Sequence, residues 1–375
     1  MADIGPGQSA PPAGRLKWPA RRRVAGPEET AEDIAVQDIA ELEAADRQPP
    51  PPGPVLMADP PQRFNLAILR LAGLGLALVL ALALAMVKLF VGGPPSIAQL
   101  RAEAGVDSWS VLPIGVKDDS PGVANYDVKS GKWSGFDIDI AYMIAEDLGF
   151  RRQEVKFYAI ESEDRARMQA TDAQGNRVPV KMVIASFSIT ADRVKSGILF
   201  SDPYLYTEQS VVTLDRHRPV ATFSDLAGER VCSLSTSTSL TGLAGSGAIV
   251  IIKNRVSECF ALLDKHDVTA VSTDAAILAG FKNRDPAKYH HWDIGLDATE
   301  KWGVNVGENK ALQTLVDITL YKSWKDPHDD RWELAYQNNL QSEVAANKPT
   351  PIAVAEQPPA PRPYVRQLPW ESDLP

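Results

Sequence analysis

At positions 188–204 the chain reads SITADRVKSGILFSDPY. Two hydroxyls, Ser188 and Thr190, and one guanidinium, Arg193, cluster where the apolar run KMVIASFSIT ends. A guanidinium presents a planar fork of donors that fits an oxyanion, and hydroxyls complete the set. The chemistry implied is the holding of an oxyanion. Rival chemistries lack their residues. Asp137 and Asp139 in GFDIDI resemble a catalytic carboxylate pair, but they stand beside a helix start and read as caps and scaffold. No serine–histidine or cysteine–histidine set is apparent, so no enzyme is expected. The five histidines offer no spaced ligand pair, His290 and His291 being adjacent, and two cysteines cannot build a four-thiolate zinc site. No cofactor or metal is implied. A net charge of −9 argues against a nucleic-acid partner.

The elements that must position these groups run from about residue 108 to 345. WSVLPIGV, EVKFYAI, VKMVIASFSI, QSVVTLD, ERVCSLS and VTAVST read as strands. GFDIDIAYMIAEDLGF, SECFALLDKHD and DAAILAGFK read as a turn and helices between them. Strands alternating with helices of ten or so residues predict an α/β fold with parallel sheets.

Ahead of this region, residues 1–64 are rich in proline, alanine and charge, and predict a disordered tail. A short acidic helix over 27–47 is the alternative. Residues 65–92 then predict one transmembrane helix, because no charge occurs from Leu71 to Val87 and the flanking Arg70 and Lys88 can snorkel. A cleaved signal peptide is disfavoured, since such segments start within the first few residues. Residues 93–107 are expected to be a linker. The stretch 346–375 is proline-rich and expected to be irregular.

Six stretches, in order, resemble the bacterial extracytoplasmic solute-binding proteins of family 3, the polar amino-acid binders of ABC importers: IGVKDDSPG (114–122), GKWSGFDIDIA (131–141), ITADRVKSGILFSDPY (189–204), LAGERVCSLSTSTS (226–239), VTAVSTDAAIL (268–278) and EKWGVNVGENKAL (300–312). The similarity is greatest to glutamate/glutamine-type binders of actinobacteria. It implies a two-lobed, type II periplasmic-binding-protein-like fold closing by a hinge. Lobe 1 would span about 108–205 and 303–345, and lobe 2 about 211–299. The two crossings would lie near YTEQSV and ATEKWG.

By the same resemblance, Arg193 clamps the α-carboxylate of a free amino acid, with Ser188 and a backbone N–H at Thr238, and Ser186 offers backbone carbonyl or hydroxyl contacts. Asp274 meets the α-ammonium; an N-cap for AAILAGF is its alternative role. Arg165 and Lys117 match cations of acidic-amino-acid binders and favour glutamate or aspartate over glutamine. A helical pair with Glu161 is the alternative for Arg165. The sequence also departs from the family at MQATDAQGNRVPVKMVIAS, which carries an insertion, and at Leu234, where glutamine binders place a lysine. Cys232 and Cys259 match two positions where the subgroup carries cysteines, which implies a disulfide and hence an oxidising compartment. The expected protein is membrane-inserted, its N-terminus cytoplasmic and its binding domain outside. It passes an amino acid to an ABC permease or reports it to a membrane signalling partner.

Overall fold

The computed structural model describes residues 66–90, 93–294, 299–342 and 357–366. The expectations for residues 1–64 lie outside these. The first described element is helix α1 (Leu66–Phe90). At 1.5 Å per residue its 25 residues reach about 37 Å, enough for the hydrocarbon of a bilayer. Within residues 66–88 an 18-residue window reaches a mean hydropathy of 2.4, and these residues are exposed throughout.

The remaining chain continues through α2 (Ile97–Ala104), β1 (Leu112–Val116), β2 (Asp119–Ser120), β3 (Ala124–Asp127), β4 (Lys132–Ser134), α3 (Phe136–Asp147), β5 (Val155–Ala159), β6 (Gln169–Thr171), β7 (Arg177–Pro179), β8 (Met182–Val183), α4 (Ala191–Lys195) and β9 (Phe200–Thr207). It then forms β10 (Gln209–Leu214), β11 (Arg230–Leu234), α5 (Ser239–Leu243), β12 (Ile249–Lys253), α6 (Val256–Asp264), β13 (Ala270–Asp274), α7 (Ala275–Arg284) and β14 (Tyr289–Trp292). It returns with β15 (Glu300–Asn305), α8 (Lys310–Lys325) and α9 (Arg331–Asn339).

Two mixed sheets result. One has the order β7-β6-β5-β1-β8-β15-β9, the other β12-β11-β13-β10-β14. The first sheet and its helices form lobe 1; residues 209–292 form lobe 2. Only Glu208 separates β9 from β10, so one strand leads straight from lobe to lobe, and β15 brings the chain back to pair antiparallel with β9. Strand β1 runs parallel to both β5 and β8 and is buried along most of its length, as an inner parallel strand must be. Helix α3 buries Phe136, Ile138, Ile140, Ala141, Met143, Ile144 and Ala145. Gly135 before it has φ 124°, and a Cβ there would stand 2.4 Å from Val123 O, so glycine alone serves.

Two expectations change and two gain detail. The run KMVIASFSIT is strand only at Met182–Val183, because Ser186 turns into the left-handed region at φ 48°. The insertion is a β6–β7 hairpin that extends the lobe 1 sheet at its edge. Residues 93–107 are no bare linker: α2 carries a capping box at Ser96 and Gln99, and buries Leu100 and Ala104. In the tail, residues 357–366 lack helix and strand, as expected, yet they are tied down. Ala360 is buried in the core, and Arg366 N donates to Pro95 O at 2.9 Å.

Cys232 on β11 and Cys259 on α6 form a disulfide with their Cα atoms 5.4 Å apart. The strand and the helix pack face to face, which brings the sulfurs together.

Candidate functional site

Ten residues converge where the lobes meet. Lobe 1 gives Arg165, Ser186, Ser188 and Arg193; lobe 2 gives Leu234, Ser237, Thr238, Thr273, Asp274 and Ile277. The lobes are closed on one another. The space among these residues leaves about 10 Å³ for the centre of a water-sized sphere, room for about one water.

Arg193 sits on the short helix α4, whose N-cap Thr190 accepts from the Arg193 backbone N–H at 3.2 Å. The guanidinium reaches Ser188 O and, across the cleft, Thr236 O, both at 2.5 Å. Arg165 lies in a tight 3-10 turn and donates to the carbonyls of Ser162 (3.1 Å), Ala185 (3.3 Å) and Ser186 (2.9 Å). The alternative pair with Glu161 is not made. Both guanidinium carbons lie 4.6 Å from the centroid of the Phe187 ring. Burial, reinforced by Arg193, pushes Arg165 down to about 9. Among the described residues neither arginine is ion-paired; their acceptors are carbonyls and the Thr236 hydroxyl.

Asp274 stands at the start of α7 but makes no side-chain cap. Its Oδ2 instead accepts the indole N–H of Trp302 at 2.6 Å. Burial, with Glu300 adding, raises its pKa to about 7. Thr238 precedes α5, also without a side-chain cap, and lines the cavity.

Lys117 is not among the residues that the structure brings to the cavity. It is buried outside the cavity lining, donating to Ser162 Oγ (3.2 Å) and to Asn254 O of lobe 2 (3.3 Å). Its pKa falls to about 8, chiefly through burial.

Sequence reasoning passed over several groups here. Trp302 and Thr236 hold Asp274 and Arg193, and both stand in stretches already quoted, EKWGVN and STSTS. Asp137 is no cap. Its Oδ2 accepts from Ser186 N (3.0 Å) and Oγ (3.3 Å), and its Oδ1 from Tyr204 OH (2.9 Å). Burial raises its pKa to about 7. It pins the left-handed Ser186 whose carbonyl holds Arg165. A cluster of Glu161, Glu163 and Asp164 has metal-like spacing, but Asp164 is taken by Arg167 at 3.0 Å and by Arg177. A larger groove between α3 and α9 uses its Arg331 to pair Asp147 (2.8 Å) and Asp329 (2.7 Å).

A family model described as bacterial extracellular solute-binding proteins, family 3, matches residues 112–332. A glutamate-binding protein of Corynebacterium glutamicum is 28% identical over 233 residues, covering 56% of this chain and 76% of that protein. An ABC transporter glutamine-binding protein of Bacillus subtilis is 27% identical over 246 residues, covering 64% and 85%. Among solved structures, an ancestral arginine-binding protein bound to glutamine superposes with a TM-score of 0.54 at 28% identity, covering 62% of this chain and 98% of that one. A solute receptor for L-cysteine of Neisseria gonorrhoeae gives 0.57 at 23% identity, covering 64% and 94%, a likeness of fold.

Proposed function

The chain belongs to the bacterial extracellular solute-binding proteins, family 3, and on that premise we propose that it captures a free acidic amino acid between its lobes and hands it to an ABC importer. One observation carries this reading: a buried guanidinium, Arg165, and a half-buried one, Arg193, neither with a carboxylate partner among the described residues, face one buried carboxyl, Asp274, across a closing cleft. The carboxyl suits an α-ammonium and the guanidiniums suit carboxylates. With Asp274 ionised, these three groups sum to +1. A zwitterionic head adds nothing and an anionic side chain cancels the remainder, so glutamate or aspartate is favoured over glutamine. The glutamate-binding relative supports the same choice. Arg193 and its neighbour Ser188 take the α-carboxylate, with Thr238 opposite, and Arg165 takes the distal one beside Ser186. Since Arg193 spans to Thr236 O, ligand entry replaces a carbonyl acceptor with a charged one.

Helix α1 serves as a single membrane anchor, with the binding domain outside. Its length and hydropathy support this, and the disulfide suits an oxidising compartment.

Calorimetry of the full chain in detergent against the twenty amino acids tests the assignment. Glutamate or aspartate should bind tightest, and Arg193→Ala should cost about 2–5 kcal/mol for every ligand, as loss of one member of a buried charge pair does. A preference for a cationic side chain, or near-normal binding by the alanine variant, refutes it.

A further inference from the structure

Helix α6 lacks a cap of its own. The residue before it is Arg255, whose side chain makes no capping hydrogen bond. A helix start leaves up to four backbone N–H groups without partners inside the helix. One of these is satisfied from the other lobe, where Asp119 Oδ2 accepts from Ser257 N at 2.9 Å. Asp119 is only 8% exposed, and its Oδ1 is buried with no hydrogen-bond partner.

Its neighbours act on the same segment. Asp118 Oδ1 lies 2.8 Å from Arg255 Nη2, and Lys117 donates to Asn254 O, which also accepts from Ser162 Oγ at 3.1 Å. Three consecutive residues of lobe 1 thus grip residues 254–257 of lobe 2, and none of them lines the cavity.

The geometry points to residues 117–119 as a closure latch, in which Asp119 is a positioning residue that caps α6 only while the lobes are shut. Opening the cleft separates Asp119 from Ser257 and returns both to water. Part of the ligand's apparent affinity is therefore made by a contact the ligand never touches. The inference rests on the solute-capturing reading but is indifferent to which amino acid is bound.

The test uses the full chain in detergent, with L-glutamate, L-aspartate and L-glutamine as probes. Dyes at the exposed positions 129 (lobe 1) and 265 (lobe 2) report the distance between lobes. Asp119→Ala should weaken binding about 2- to 30-fold, the span of losing one helix cap, and alike for every probe that binds. Asp119→Asn should stay near wild type, since asparagine caps as well as aspartate. Without any probe, Asp119→Ala should already lengthen the interlobe distance while the melting temperature holds. Unchanged distance and affinity in Asp119→Ala overturn the latch, as does a fall in melting temperature that accounts for the whole loss. If wild type binds none of the probes, the ligand assignment fails alone, because the ligand-free distance still decides the latch.

Discussion

Trp302 donates its indole N–H to Asp274 at 2.6 Å, so a strand that carries the chain between lobes holds the acid of lobe 2 in place. Trp302→Phe keeps most of the buried ring and removes the donor. A hydrogen bond to a charged group is worth about 1.5–3 kcal/mol, so amino-acid binding should weaken roughly 10- to 150-fold. Calorimetry beside a melting curve separates this from lost packing. Wild-type affinity in the variant would detach Trp302 from the site.

Arg165 and Lys117 were expected to act together, and the structure separates them. Arg165 lines the cavity and Lys117 ties Ser162 to Asn254. Arg165→Met should therefore narrow the preference for glutamate over glutamine, whereas Lys117→Met should weaken both by a similar factor. Paired titrations with the two ligands check this. A preference that collapses in the lysine variant instead would return Lys117 to the ligand.

Binding should depend on pH through Asp274. Burial first, and Glu300 second, raise its pKa to about 7. A ligand ammonium favours the ionised carboxylate and pulls that value down, so binding below pH 7 expels a proton. Affinity then rises with pH from about 5 to 7, by at most tenfold per unit, and levels off above. Calorimetry at pH 6 in buffers of different ionisation enthalpy should register the release. A flat profile from pH 5 to 8 would remove Asp274 from the ammonium's side.

The disulfide closes a loop between residues 27 apart in sequence. In the chain-entropy model such a loop contributes about 3–4 kcal/mol. Replacing both cysteines with alanine should lower the urea midpoint accordingly, and an unchanged midpoint would contradict it.

The fold was legible because its signposts are local. A run of hydroxyls and an arginine after an apolar stretch, or a strand ending in Thr273 and Asp274 before α7, announces a site by itself. What stayed hidden depends on closure. Lys117 is 137 residues from Asn254, and no local pattern tells that its amine turns to that carbonyl. Asp137 looked like a cap because helix starts favour acids. Its task of holding Ser186 in a left-handed turn appears only when β8 and α3 are brought together. The insertion obscured Arg165, which sits in a 3-10 turn leading into a hairpin rather than on an ordinary helix.

The hydrogen bond from Arg366 to Pro95 has a mechanical reading. Segments before α2 and after α9 both fasten to lobe 1, while lobe 2 is reached only through β9, β10 and β15. Lobe 1 is the stator of this device and lobe 2 its rotor. Under the proposed closure, a load applied along either tether is borne within one body and does not cross the pivot between the lobes.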